Sequence, residues 1–509
     1  MPSEVYVAGV GMTKFGKSDL TLPQLMVEAA SRAILDARLN TIDYVFIGVM
    51  SVEEFTGESN FAALITDRLG LPGIPSSRVE TASSTGSAVF ESAFYAVASG
   101  YHRNVLILAG EKMTHLPTAQ TTKILAEVIE RNERKYGASM PSLAAMITRR
   151  YQHNARLSDK AMQSVLAKVA IKNHYNGSLN PYAQFRKIIT AADYFGSRFV
   201  STPLRTFDCA PITDGAVAVV LTLDKRPIRV SGLGHATDTL AVRHRDSLTS
   251  FKSTRLAAWQ AYNMAKLSPK EVSFAEVHDA FTTFEIIGTE DLGFFPHGEG
   301  WKAVEEGVTS IKGRLPINPS GGLKARGHPV GASGLAQIAE VVLQLRGDME
   351  TSRQISGARI GLTQNIGGLA NNNLVTILER ADRYRPIPVY WKPDYDPGNI
   401  KAREVPEEPL AVDTGTLETF TTLFTTPEGI PSPLTLGFVS IPDGRLIMAR
   451  AAQEDLRIGQ TVKVEKEGDL FYIQPSTPQP RPSPEKGMEG VKKWLHRALS
   501  SSDPKEDER

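Results

Sequence analysis

Two hydrophobic periods alternate along the first three-quarters of the chain. The run VYVAGVG at 5–11 is apolar, β-rich and closed by glycines that suit a tight turn. A helical pattern follows and ends in ARLNTIDYVFIGVM at 37–50, which reads as helix end, turn and strand. The same succession starts again with IRVSGLG at 228–234 and closes in AKLSPKEVSFAEVHDAF at 265–281. SSTGSAVFESAFYAVASG at 83–100 and GHPVGASGLAQIAEVVLQLRG at 327–347 are each a small-residue helix start followed by a buried helix ending on glycine. Each precedes a strand, NVLILAG at 104–110 and ARIGLTQNIGG at 358–368. Self-similarity of this kind marks a duplicated unit, and strands alternating with helices imply parallel βαβ units covered on both sheet faces. The pattern therefore predicts two similar α/β halves, 1–225 and 226–381. Residues 111–205 have no counterpart in the second half and read as an insertion that shapes a substrate site.

The texture changes at about residue 382. Residues 382–409 are rich in proline and charge, as a linker is. Residues 410–475 show short apolar runs separated by Gly and Pro turns, without a long helical period, which predicts a small β-barrel. The tail, 476–509, is proline-rich and then charged, a composition that favours disorder apart from the short amphipathic stretch GVKKWLHRAL.

Composition narrows the function classes. With 41% hydrophobic and 22% charged residues and a formal net charge of +1, the 509-residue chain has no electrostatic case for a nucleic-acid or anionic-membrane partner. The start, MPSEVYVAGVGMTKFG, enters a strand-like run without a secretory pattern, and no apolar run reaches membrane-spanning length. A cytoplasmic location is expected. A single cysteine, Cys209, excludes an internal disulfide framework and a cysteine-rich zinc site within one chain. Its segment enters a buried strand, and a structural role is expected for it.

Three motifs occur in the order of one family: DCAPITDGAVAVVL (208–221), VHDAFT (277–282) and NPSGGLKARGHPVGASG (318–334). On these the chain resembles the thiolase superfamily, in its sterol-carrier-protein branch. The resemblance implies a duplicated five-layered αβαβα fold over roughly residues 1–380. The C-terminal module resembles the OB-fold part of the DUF35 family, whose members often partner thiolase-like proteins. That family commonly carries a cysteine zinc ribbon before the barrel; no cysteine stands near YWKPDYDPG, so no zinc is expected.

Carried over residue by residue, the resemblance places Ser83 where the nucleophilic cysteine stands, in a loop entering a helix whose terminus favours negative charge. A hydroxyl is far harder to ionise than a thiol, so Ser83 needs a base to act covalently; otherwise it caps the helix or bonds substrate. His278 takes the place of an oxyanion-hole histidine and His328 that of the histidine that activates the nucleophile and handles the enolate oxygen. Ala280 replaces the branch's acid/base cysteine. Asn365 stands where many thiolases have a second cysteine, and Gly367 and Gly368 would let backbone approach a ligand. Lys324 and Arg326 flank the Gly-His-Pro loop and are candidates for coenzyme A contacts.

Without either family cysteine, the usual acyl-cysteine route is closed. Three readings stand. The first is a C–C bond enzyme of aldolase or retro-aldolase type acting on an acyl-CoA through a stabilised enolate, which needs an oxyanion hole and a base; the base of such relatives is usually a tyrosine, which no motif here places. The second is an acetyl-CoA acyltransferase with Ser83 or an unusual nucleophile. The third is a non-catalytic acyl-CoA-binding scaffold. A coenzyme A thioester is the expected substrate, with no permanently bound cofactor and no metal. The four residues Ser83, His278, His328 and Asn365 are expected around one pocket. A homodimer is expected, paired around the strand at 104–110 and the Ser83 loop, and a further subunit is possible.

Overall fold

The computed structural model describes residues 3–381, 412–426, 429–451 and 456–476. The expected linker at 382–409 lies outside the described residues, as does the tail from 477. Eleven strands precede the barrel: β1 (Tyr6–Met12), β2 (Tyr44–Gly48), β3 (Ser76–Val79), β4 (Asn104–Glu111), β5 (Phe199–Ser201), β6 (Leu204–Arg205), β7 (Gly215–Thr222), β8 (Ile228–Thr237), β9 (Phe274–Glu276), β10 (Ile360–Gly367) and β11 (Asn372–Arg380). The main sheet runs β3-β2-β4-β7-β1-β8-β11-β10-β9. Within the sheet the strands of the two halves are joined where β1 pairs with β8 at Tyr6–Arg229 and Val7–Ile228.

Layering follows from which faces are apolar. Helix Leu22–Ala37 packs its alanine-rich side on the outer face of β2, β4 and β7. Helix Lys252–Ala265 does the same over β9, β10 and β11. Between the halves, helices Thr85–Ala98 and Ser333–Arg346 share one core with the inner faces of both. The result is the expected αβαβα stack. Both central helices are buried on nearly all sides, which explains why they read as apolar runs rather than as amphipathic stripes.

Two details differ from the sequence reading. The glycines of VYVAGVG and IRVSGLG do not make turns. A Cβ on Gly9 or Gly11 would stand 2.3 Å from a carbonyl oxygen of helix Leu22–Ala37, and one on Gly234 would stand 1.8 Å from Ala257 O, so these positions let a helix lie directly on a strand. The sheet is also mixed rather than parallel. β2 runs parallel to β3 and β4, and β9 to β10, but β4–β7 and β10–β11 are antiparallel. A short turn joins β10 to β11 and the long insertion joins β4 to β7, so no single crossover helix imposes a parallel return.

β4 is paired along its length by β2 on one side and β7 on the other. That strand therefore has no free edge to offer a second copy by strand pairing. Among the described residues the unpaired edge on this side is β3, whose end leads into the Ser83 loop.

The C-terminal module is a closed barrel of β12 (Thr414–Leu423), β13 (Leu434–Ser440), β14 (Leu446–Ala451), β15 (Thr461–Glu467) and β16 (Leu470–Pro475). The strand order is β13-β14-β16-β15-β12, closed by β12–β13, with β14 and β16 parallel. It is anchored to the insertion, whose β5 pairs with β12 at Ser201–Leu423. Helix Met140–Asn154 lies against β12, where Thr419 Oγ1 donates to Met146 O at 2.7 Å and Arg150 pairs with Glu418 at 2.9 Å. No helix of the described residues is long and apolar enough to cross a membrane.

Candidate active site

The site forms where the N-termini of the two central helices cross. Glycine permits this approach: a Cβ on Gly86 would meet Leu335 N at 2.6 Å, and one on Gly334 would meet Asn365 Oδ1 at 2.1 Å. The loops leading into these helices carry Ser83 on one side and His328 on the other. The end of β9 adds His278 and Ala280, and the turn after β10 adds Gly368. All five line one cavity. Its remaining wall is mostly apolar, with Met50 and Val330 beside the chemistry, Phe281 and Phe284 below, and Met140 and Pro141 from the insertion.

The backbone immediately before Ser83 is unusual. Ala82 takes a left-handed conformation with φ of 54°, a cost sustained by the Ala82 N–H bond to the Glu80 carboxylate and by Thr85 Oγ1 donating to Ala82 O at 2.6 Å. Ser83 is 6% exposed, and no hydrogen bond involves its side chain among the described residues. The capping role considered for it is thus corrected: Ser84 occupies the N-cap position, and its hydroxyl donates to Thr81 O at 2.6 Å rather than accepting from the helix.

The two imidazoles meet edge to face, 5.2 Å between ring centres. Their partners assign opposite tautomers. His278 Nδ1 accepts from the Ile366 backbone N–H at 3.2 Å and from Asn365 Nδ2 at 2.9 Å, so its proton sits on Nε2. His328 Nδ1 lies 2.7 Å from Ser333 Oγ, whose own proton goes to Pro329 O at 2.9 Å. Ser333 must therefore accept, His328 carries its proton on Nδ1, and its Nε2 is a free lone pair. One histidine offers the cavity a donor and the other an acceptor. Burial holds both neutral: it pushes His328 down to about 3, with help from the nearby Arg326 charge, and His278 well below the ordinary histidine value, with help from His328 and Arg326.

Asn365 does not line the cavity. It is fully buried behind His278 and acts on it through the 2.9 Å contact. Gly367 also stands back, its Cα facing Ser84 Oγ and Thr81 O, while Gly368 reaches the wall. Lys324 and Arg326 are corrected as coenzyme A contacts. Lys324 is buried with Nζ donating to Cys209 O at 2.5 Å, and Arg326 is buried against Glu276, Ser320 and Ser333. Both are structural cations, and the Arg326 charge adds to the burial that keeps the histidines unprotonated. Four residues escaped the sequence reading as parts of the site: Ser333, which sets the His328 tautomer; Met140 and Pro141, which close the wall; and Cys209, which lines the cavity. The expectation of a purely structural Cys209 rested on its strand-like segment; an isolated bridge to Phe281 and an Ala210 N–H bond to Ala280 O at 2.8 Å lay it along the histidine loop instead.

Comparison with known proteins places most of the chain in one family. Residues 5–225 match the model for the thiolase N-terminal domain and residues 234–380 that for the thiolase C-terminal domain-like family. The acetyl-CoA acetyltransferase of Methanothermobacter thermautotrophicus is 42% identical over 388 residues, covering 74% of this chain and 100% of that protein. Sterol carrier protein 2 of Bos taurus is 32% identical over 386 residues, 72% of this chain and 70% of that protein. The solved Ltp2-ChsH2(DUF35) aldolase superposes with a TM-score of 0.64 at 24% identity, covering 75% of this chain and 99% of that one, a likeness of fold.

Proposed function

The chain belongs to the thiolase family, and on that premise we propose that it makes or breaks a C–C bond in an acyl-CoA thioester through an enolate, by aldol or retro-aldol chemistry without an acyl-enzyme. One observation carries the reading: a donor tautomer at His278 and an acceptor tautomer at His328 face one cavity, while no hydrogen bond joins Ser83 Oγ to either ring. A serine nucleophile needs a base in contact with it. An enolate route needs only what the two rings offer.

In the cleavage direction the thioester carbonyl oxygen of a β-hydroxyacyl-CoA accepts from His278 Nε2–H. The β-hydroxyl donates to His328 Nε2. As the Cα–Cβ bond breaks, its electron pair becomes the enolate, held by the His278 donor, and the β-carbon leaves as an aldehyde or ketone. A neutral donor fixed where charge develops is worth several kcal/mol in a dry site, on the order of 3. Burial is the first cause of the low proton affinity of His328 and the Arg326 charge the second; negative charge that develops beside the ring offsets the Arg326 contribution, so the base strengthens when it is needed. The cavity contains no tyrosine among its described lining residues, so His328 takes the role of base in this reading.

The test is turnover of β-hydroxyacyl-CoA substrates with detection of the carbonyl product and the shortened acyl-CoA, alongside intact-protein mass. Carbonyl product without an adduct is expected. The 42% identity to an acetyl-CoA acetyltransferase favours acyl transfer as a second reading; a serine-linked acyl group trapped on the wild type would establish it and displace the first.

A further inference from the structure

An enolate in this cavity needs an acid to return a proton to its α-carbon, and neither ring is free to serve: His278 Nε2–H holds the oxygen and His328 takes up the hydroxyl proton. The remaining O–H and S–H groups on the described wall belong to Ser83, Thr122 and Cys209. Cys209 is the single thiol of the chain. Its backbone bridges to Phe281 and its neighbour Ala210 bonds Ala280 O at 2.8 Å, which lays the residue along the loop that carries His278, on the wall of the same cavity. Lys324 Nζ pins its carbonyl at 2.5 Å, and its Sγ makes one weak contact, to Arg205 O at 3.6 Å. Two further groups mark this spot as a ligand site: the Ser83 hydroxyl, 94% buried by its 6% exposure, and His278 Nε2–H both face the same cavity without a protein partner among the described residues.

We propose that the Cys209 thiol is the catalytic acid that protonates the enolate α-carbon. This assignment rests on the aldol-type reading. The step balances: the β-hydroxyl proton moves to His328 Nε2, the Cα–Cβ pair becomes the enolate, the S–H proton passes to Cα as the enolate pair forms the new C–H bond, and the resulting thiolate recovers the proton held on His328 once the carbonyl product leaves. Burial raises the thiol to about 12, which keeps it protonated until an enolate arrives, and an aliphatic hydroxyl such as Ser83 is a weaker acid still.

The experiment is retro-aldol cleavage of an α-methyl-β-hydroxyacyl-CoA in D2O, with the rate and the configuration of the monodeuterated propionyl-CoA both measured, for wild type, Cys209→Ala and Cys209→Ser. Wild type is expected to give one enantiomer. Each variant is expected to lose about 100-fold or more in kcat, with KM within a few-fold, unchanged melting and a racemised α-carbon, because water then protonates the enolate from either side. A folding defect in Cys209→Ala leaves the near-isosteric Cys209→Ser to decide. Wild-type rate and one enantiomer from a folded variant overturn the Cys209 assignment while the aldol reading stands. Absence of any carbonyl product from wild type overturns the aldol reading itself, and Cys209 with it.

Discussion

Asn365 Nδ2 stands 2.9 Å from His278 Nδ1, and the backbone N–H of the next residue, Ile366, reaches the same nitrogen at 3.2 Å. A ring nitrogen approached by a backbone donor can only accept. The strand β10 therefore decides, from behind, that His278 presents a proton to the cavity. Asn365→Ala should leave the Ile366 bond and lower kcat by about tenfold with KM for the acyl-CoA little changed, whereas His278→Ala should cost roughly 100- to 1000-fold. Steady-state kinetics on both variants checks the ranking, and an Asn365→Ala loss equal to that of His278→Ala would contradict a positioning role.

The pH profile should lack the usual histidine inflection. His328 must be neutral to act as base, and burial together with Arg326 depresses it to about 3. The base form therefore persists as pH falls through 6.5. We expect kcat/KM to be flat from pH 8 to pH 5 on the acid limb, and His328→Gln to lower it by roughly 100-fold or more at every pH in that range. A wild-type break near 6.5 would assign the base elsewhere.

Ser83 tests the nucleophile question directly. Its hydroxyl has no hydrogen-bond partner among the described residues, so Ser83→Ala should shift stability by no more than about 0.5 kcal/mol, measured by chemical denaturation. Ser83→Cys should instead gain a thiol before the helix Thr85–Ala98 and slowly collect an acyl group from an activated acyl-CoA, visible by intact mass. Thiolysis should stay poor, since among the described residues no hydrogen bond joins the side chain at 83 to either imidazole, which leaves a thiol there without an activating base.

Glu111 carries a pH-dependent load. Its carboxyl is fully buried, accepts from Met50 N, Ser51 N and Gly331 N, and burial raises it to about 7. The folded state thus keeps a proton that the unfolded chain has released, and this group's contribution to stability falls as pH rises from about 4.5 to about 7. Glu111→Gln keeps an acceptor and cannot ionise. Its stability relative to wild type should rise across that window, by at most about 3 kcal/mol, and level off above it. Urea titrations at pH 5 and pH 8 give the difference; an identical value at both would refute the argument.

The barrel should matter to the cavity through helix Met140–Asn154. That helix rests on β12, with the Arg150 side chain on Glu418 and Arg149 over the Phe420 ring at 4.3 Å, and its first two residues are cavity wall. A chain ending at residue 381 should expose this apolar seam, melt at lower temperature and bind acyl-CoA more weakly. Calorimetry and equilibrium binding would show it, and unchanged affinity in a folded truncation would detach the barrel from the site. The half-buried Arg150–Glu418 pair alone should be worth no more than about 1 kcal/mol.

The duplication was legible because burial on both faces writes itself as apolar runs, and two copies of one run order are hard to produce otherwise. NVLILAG and GLTQNIG became β4 and β10, each buried throughout. The helix starts at Ser83 and Ala332 were legible as small residues, and the two histidines as members of glycine-rich motifs. Other features were not legible, because they depend on distance in space rather than on spacing in sequence. Strand direction followed from which connection joins which strands. The role of Gly9 and Gly234 depended on a helix lying across them.

Lys324 and Arg326 read as candidate coenzyme A contacts because they flank the Gly-His-Pro loop; the fold buried both and added the Arg326 charge to the burial acting on the histidines. Cys209 and Phe281 are far apart in the chain and become neighbours only through an isolated antiparallel bridge. The amino-acid order by itself determined the repeat, the elements and the residue types at the helix starts, since these rest on local propensity and burial period. Tertiary structure alone decided the protonation of each imidazole and the company of the thiol, since a tautomer is set by the hydrogen-bond partner on the far side of the ring and that partner arrives from another strand.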